Sequence, residues 1–226
     1  SDLLKLVEHG SSMGGARPKV ALDNGGHGMI AKFRRADDVV DNPLVEYATM
    51  SLCARAGLNV PTVNRQHVAG HCVFLIDRFD RSQEGKRHHF ISAHALFNQD
   101  KQRTYREGKV DPAGYIAFAR VIRRVSDEPE QDLKELFRRA ATNVMLGNTD
   151  DHARNHGMLY NTKEAVWRLS AMYDVMPIPT GVMEQAMSLG EGGRARSIDN
   201  VLSMAPAFGL NEERALGEVR AMHEIY

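Results

Sequence analysis

The chain changes character at Asp77-Arg78-Phe79-Asp80, and that break constrains its fold more than any other feature. Ahead of it lie two short apolar-rich runs, Lys19-Val20-Ala21-Leu22-Asp23 and Met29-Ile30-Ala31-Lys32-Phe33, joined by Asn24-Gly25-Gly26-His27-Gly28. Asn-Gly between such runs predicts a hairpin, because the turn needs positive φ. Asn42-Pro43 then supplies a cap and a proline in the first helical position, with Leu44, Ala48, Leu52 and Ala56 at helical spacing and Gly57 as the stop. Val60 to Val68 and His71 to Ile76 predict a second strand pair. Beyond the break, Asp111-Pro112 opens a helix to about Val125, and Pro129 opens a longer one striped by Leu133, Leu136, Phe137, Ala140, Val144 and Met145. His156 to Tyr160 and Ala165 to Leu169 predict a hairpin. Ser197 and Asn211 cap two further helices, the last burying Leu216, Val219 and Met222. Segments 82–90 and 98–110 are polar and expected as mobile loops. The reading is an α+β chain of two lobes, residues 1–78 strand-rich and residues 79–226 mostly helical, with the cleft at the break.

Composition narrows the classes. The 226 residues, 42% of them hydrophobic, suffice for a substantial core. Lys plus Arg is 29 and Asp plus Glu is 29, so no chain-wide basic field directs the chain to nucleic acid. No apolar run approaches the ~18 residues of a membrane helix. The two cysteines, Cys53 and Cys72, suit a reducing, cytoplasmic setting as small buried hydrophobes. The start, Ser1-Asp2-Leu3-Leu4, has neither an initiator Met nor a signal-peptide pattern, so either an engineered start or a fragment of a longer chain is expected.

Four features carry chemistry, and their order matters more than any one of them. Ser11-Ser12-Met13-Gly14-Gly15-Ala16-Arg17-Pro18-Lys19 is either a plain flexible loop or one whose small residues let backbone N–H groups approach phosphate. Lys32 lies on the next strand and Glu46 in the following helix. Such a lysine either faces solvent or meets phosphates while a helix carboxylate orients it. Asn148-Thr149-Asp150-Asp151-His152-Ala153-Arg154-Asn155 follows a long apolar helix. Its Asp150 and Asn155 stand at the spacing of the protein-kinase catalytic loop, where the Asp takes a hydroxyl proton and the Asn holds a metal. Tyr173-Asp174-Val175-Met176-Pro177 places a carboxylate after the hairpin, as either a turn residue or a second Mg²⁺ ligand. Loop, strand lysine, helix glutamate, hinge, Asp-x4-Asn, hairpin, Asp is the order of a protein-kinase-like phosphotransferase.

These stretches, with Glu46-Tyr47, Gly57-Leu58-Asn59-Val60-Pro61 and Asp77-Arg78-Phe79-Asp80-Arg81, resemble the HipA-like serine/threonine kinases of bacterial toxin–antitoxin systems. The resemblance spans almost the whole chain. It implies a two-lobed protein-kinase-like fold with ATP and Mg²⁺ as cofactors, Asp150 as catalytic base, and Asn155 and Asp174 as metal ligands. Lys32, Gly14 and Gly15 would meet the nucleotide phosphates, Asp77 and Phe79 would line the adenine site, and Asp80 would lie near the ribose. Glu46 and Arg154 would orient. Ser12, or its neighbour Ser11, matches the loop serine that such kinases autophosphorylate, which ejects the loop and silences the enzyme. The family's targets are aminoacyl-tRNA synthetases, and its partners are helix-turn-helix antitoxins through which DNA is reached.

The chain departs from that pattern in three places. Asp151 stands where Gly is frequent and is expected to face solvent, and Arg154 stands where Lys is usual. Only about ten residues precede the Ser/Gly loop, where larger members carry a further N-terminal subdomain. His152 is expected to be a structural, hydrogen-bonding histidine, His88 and His89 solvated, and Trp167 a packing residue. Gly190-Glu191-Gly192-Gly193-Arg194-Ala195-Arg196 is expected as a solvated, flexible loop. Two rival readings are a kinase of small-molecule hydroxyls and an inactive module that binds nucleotide or antitoxin.

Overall fold

In the computed structural model, the described residues are 17–25, 27–68, 70–82, 85–97, 111, 113–179 and 181–226. Ser11, Ser12, Gly14, Gly15 and the 98–110 segment lie outside them.

The first part is a four-stranded antiparallel sheet with one helix on it. Strands β1 (Lys19–Asn24), β2 (His27–Lys32), β3 (Val63–Val68) and β4 (His71–Asp77) are ordered β1-β2-β4-β3. Gly25, at φ 65°, makes the first turn. Helix α1 (Asn42–Arg55) begins one residue earlier than its sequence signal: Asp41 is the cap, its carboxylate accepting from Leu44 N at 3.2 Å. Alternation along the strands divides the sheet in two. Phe74 and Ile76 pack on Met50 and Cys53 of α1, while Ala31, Phe33, Val73 and Leu75 form a separate cluster on the other face.

The second part is built on helix α3 (Pro129–Leu146), whose Leu136, Phe137, Ala140 and Ala141 are fully buried. Helix α2 (Tyr115–Val125) packs along it. α2 starts after Gly114 rather than at Asp111, whose side chain caps a preceding turn at Ala113 N, 2.9 Å. Helices α4 (Ile198–Ser203) and α5 (Glu212–His223) complete the core, capped by Ser197 and Asn211 as their sequences predict. α5 buries Ala215, Val219 and Met222, with Leu216 only half-buried. A three-stranded sheet, β5 (His89–Ser92), β6 (Gly157–Asn161) and β7 (Val166–Leu169), lies in the order β5-β6-β7. β5 corrects the expectation of a loop through 82–90: its four residues, His-Phe-Ile-Ser, are too few to show a strand pattern without their partner β6.

The two parts share apolar surface. Met172, Val175 and Leu146 join the cluster formed by α1 and β4. At the C-terminal end of α1, Arg138 donates to the carbonyls of Ala56 and, at 3.3 Å, Gly57. Asn59 N donates to Glu135 Oε1 at 3.0 Å, and Met172 N to Asn59 O at 2.8 Å. Among the described residues, no helix is long and apolar enough to cross a membrane.

Asp132, buried in the first turn of α3, joins that helix to β7. Its carboxylate accepts from Leu169 N at 2.8 Å, Ser126 Oγ at 2.6 Å and Arg168 Nη2 at 3.0 Å. Asp132→Ala leaves the Leu169 amide unpaired, so the unfolding free energy drops by about 2 kcal/mol. A urea titration unchanged from the parent would refute that role.

Candidate active site

The site begins at the end of β2. Strand alternation turns Ile30 and Lys32 to the α1 side and Ala31 to the opposite one. Lys32 Nζ bonds to Glu46 Oε1 at 2.6 Å and to Asp174 Oδ1 at 2.8 Å, and it lies 5.9 Å from the Phe74 ring centroid. Burial opposes the charge on Lys32, but Glu46 and Asp174 outweigh it and raise its pKa. Burial likewise opposes charge on Asp174, yet Lys32 holds this half-exposed carboxyl below its ordinary value. Glu46 is buried more completely, and there desolvation prevails over Lys32, pushing its pKa up.

The loop after α3 supplies the opposite wall. Gly147 ends the helix in the left-handed region, φ 73°, where a side chain is disfavoured. Asn148 is buried behind it, and Asp150 stands exposed on the crest. The Asp150 carbonyl accepts from His152 N at 2.8 Å and from Asn155 Nδ2 at 3.4 Å. Asp174 is also left-handed, φ 60°, an uncommon conformation for a non-glycine residue and one that often marks function. Lys32, Glu46, Asp150, Asn155 and Asp174 thus line one cleft, together with Arg17 and Lys19.

A second cavity adjoins the first, sharing Lys19, Lys32 and Asp174 with it. Its walls are Ile30, Ile76, Phe79, Phe90 and Tyr173. Phe79 lies 5.3 Å from Tyr173 and 5.6 Å from Phe90, centroid to centroid. The sequence did not single out Phe90; only the pairing of β5 reveals it, by placing His89 and Ile91 on the other face. Gly157 makes room for it, since a Cβ there would lie 2.5 Å from Phe90 Cε2. At the rim, Asp80 accepts from Arg78 at 2.8 and 2.7 Å and from Arg81 at 2.7 Å.

Among the described candidate residues, two do not line either cavity. Asp77 pairs with His27 Nε2 at 2.9 Å. Arg154 turns its guanidinium to His94, 3.4 Å away, while its carbonyl accepts from Tyr173 Oη at 2.6 Å. Asp151 is not solvated but 1% exposed, turned inward onto Tyr115 and His156 while Asp150 turns outward. The hydrogen-bonding histidine of the loop is His156, on Asp151 at 2.7 Å, whereas His152 Nδ1 is buried with no partner among the described residues. Residues 190–196 are not a loose loop: Asn200 Oδ1 accepts from Gly190 N and Gly192 N, and its Nδ2 donates to Gly193 O and Ala195 O.

The donor set suits a hard cation. The Asn155 amide nitrogen is engaged by the Asp150 carbonyl, which leaves the amide oxygen for a ligand role, and Asp174 adds a half-exposed carboxylate. Among the described residues, no three His, Cys, Asp or Glu side chains converge as a transition-metal site would need. The arrangement offers a fixed cation, two oxygen ligands and an exposed carboxylate beside an aromatic-walled cavity.

The sequence profile of the HipA-like C-terminal domain matches residues 11–225. A "Putative kinase" of Haemophilus influenzae is 29% identical over 142 residues, covering 59% of this chain and 40% of that protein. The "Putative kinase Y4mE" of Sinorhizobium fredii is 27% identical over 136 residues, covering 58% and 31%. The chain therefore spans less than half the length of these curated relatives. Among solved structures, a chain of the Shewanella oneidensis MR-1 toxin–antitoxin complex of HipA, HipB and operator DNA is similar at TM-score 0.73. It is 16% identical, over 99% of this chain and 63% of that one. The Helicobacter pylori proinflammatory kinase CtkA is similar at TM-score 0.60, with 14% identity over 95% and 88%. The fold is that of the two-lobed, kinase-like proteins.

Two measurements check the site's local physics. Asp174→Gly and Asp174→Ala both delete the carboxylate, but only glycine relaxes at φ 60°, so the Gly variant is the more stable by about 1 kcal/mol. Equal denaturation midpoints would remove the strain from the account. Burial raises both thiols, Cys53 to about 12. An alkylating reagent at neutral pH therefore labels neither cysteine before unfolding. Rapid labelling of the native chain would contradict their burial.

Proposed function

The chain belongs to the HipA-like C-terminal domain family, and from that premise we propose that it transfers the γ-phosphoryl group of ATP to a serine or threonine hydroxyl of a protein. The observation that carries this reading is the convergence of Lys32, Asp150, Asn155 and Asp174 on one cleft that opens into an aromatic-walled cavity.

The parts divide the work. Phe79, Phe90 and Tyr173 offer flat apolar surface to a purine ring. Lys32, held charged by Glu46 and Asp174, neutralises phosphate oxygens at the junction of the two cavities. Asn155 and Asp174 are the groups that would hold Mg²⁺, which when bound offsets phosphate charge. Asp150, exposed on its crest, accepts the hydroxyl proton as the acceptor oxygen bonds to phosphorus and the bond to the ADP oxygen breaks. Positioning and charge neutralisation supply the rate, with no covalent intermediate on the protein.

Residues 1–78 serve here as the nucleotide lobe and 79–226 as the catalytic lobe. The HipA structure similar to this chain was solved with HipB and operator DNA, which supports an antitoxin-type partner. DNA would be reached through that partner, and the family resemblance makes an aminoacyl-tRNA synthetase the first protein acceptor to test. A reducing, cytoplasmic setting accompanies this reading.

Intact mass before and after incubation with Mg·ATP tests the proposal. The parent gains one phosphate, mapped to Ser11 or Ser12. Asp150→Ala loses transfer by at least about 10²-fold, because the base is gone, yet keeps its nucleotide affinity. Equal transfer by the two proteins overturns the assignment of Asp150. Asp174→Ala weakens Mg·ATP binding itself, and an unchanged titration moves the ion elsewhere.

A further inference from the structure

A chain of buried hydrogen bonds runs beneath the catalytic loop. The Asp151 carboxylate accepts from Tyr115 Oη and from His156 Nε2, the latter at 2.7 Å. Tyr115 Oη accepts in turn from Asn143 Nδ2 at 3.0 Å, and Asn143 Oδ1 accepts from Asn148 Nδ2 at 3.0 Å. All five residues are buried, Tyr115 completely. They come from four places: α2, α3, the loop itself and the residue before β6. The tyrosine hydroxyl is the hub, donating to one side and accepting from the other. Asn148 and Asp151 are pinned to it from either side, and Asp150 stands between them. His156 closes the far end, its ring 5.3 Å from Tyr115 and 6.3 Å from Phe118.

Direction is what such bonds add. Apolar packing is non-directional and would seat the loop without fixing the rotation of its backbone. A buried carboxylate is costly unless its bonds are made, so Asp151 stays in place only while Tyr115 and His156 donate to it. Transfer chemistry is intolerant of ångström-scale displacement of its groups.

We propose that Tyr115 and Asp151 are positioning residues for phosphoryl transfer: through Asn143 and Asn148, the Tyr115 hydroxyl fixes the segment that presents Asp150 and Asn155 to the cleft. This rests on the function proposed above. Neither residue lines the cleft, and neither is assigned a role by the resemblance or by any relative.

Tyr115→Phe removes one oxygen and leaves the ring packed. Its kcat for transfer falls roughly ten- to a hundredfold. Its KM for ATP stays within about twofold, because Lys32 and the aromatic cavity are untouched. Asp151→Asn retains an acceptor for the tyrosine and recovers part of what Asp151→Ala loses. A parental kcat in Tyr115→Phe, or equal rates in the Asn and Ala variants, overturns the proposal. Hydrogen exchange gives a readout that needs no activity. The amides of Asn148, His152 and Asn155 bond to Asn143 O, Asp150 O and His152 O. In Tyr115→Phe they exchange faster while those of α5 do not change, and unaltered exchange across 148–155 overturns the proposal. If Tyr115→Phe does not melt cooperatively, Asp151→Asn takes its place in both measurements. If the parent transfers no more phosphate than Asp150→Ala, the functional reading has failed, and exchange alone decides for or against the network.

Discussion

The Lys32 ammonium is the point on which the rest of the structure turns. It is bonded to a helix carboxylate on one side and to Asp174, 142 residues along the chain, on the other. An ammonium this buried needs both partners, and Glu46, buried deeper still, needs the ammonium. The triad therefore requires β2, α1 and the segment after β7 to be in register at once. Asp174 keeps an unfavourable backbone conformation to meet that requirement. Of the two partners of Lys32, Asp174 is the one half open to solvent, whereas Glu46 is nearly closed off.

The second constraint is the ending of α3. That helix carries the core of the larger part along one face and stops at Gly147, and the next eight residues hold every chemistry-bearing group of the loop. The left-handed turn reverses the chain sharply enough for Asn148 to reach back to Asn143 within the same helix. The loop thus starts from a rigid element and returns to one at β6. Between them most of its residues turn inward, and only Asp150 and Arg154 stand exposed.

What the sequence made legible follows from periodicity. The order of the first four strands and α1, the caps at Ser197 and Asn211, and the stop at Gly57 are local signals and stand where the sequence predicts them. Lys32 and Glu46 were visible as a possible pair because opposite charges sat on a strand and the helix after it. Asp151 was misplaced because its partners, Tyr115 and His156, lie 36 and 5 residues away, and adjacency to Asp150 says nothing about which side a carboxylate takes. Phe90 was missed for a related reason. His-Phe-Ile-Ser has no strand signature of its own and becomes one only by pairing with β6. The glycines of the 190–196 loop suggest flexibility, yet one asparagine in the helix that follows satisfies four of its backbone groups.

The anchoring of α1 has a mechanical consequence. Its C-terminal carbonyls belong to Arg138, the residue after Leu58 is bonded to Glu135 and Met172, and its buried face shares one apolar cluster with Leu146, Met172 and Val175. α1 therefore belongs to both parts, packed on the sheet through Met50 and Cys53 and tied at its C-terminal end to α3. The Lys32–Glu46 bond adds a polar tie between α1 and β2 to that apolar contact. Cutting the chain at Asp77–Asp80 would strip Met172 and Val175 from the cluster that Met50, Cys53, Phe74 and Ile76 form. The covalent hinge is therefore no boundary in the packing, because one apolar cluster runs across it.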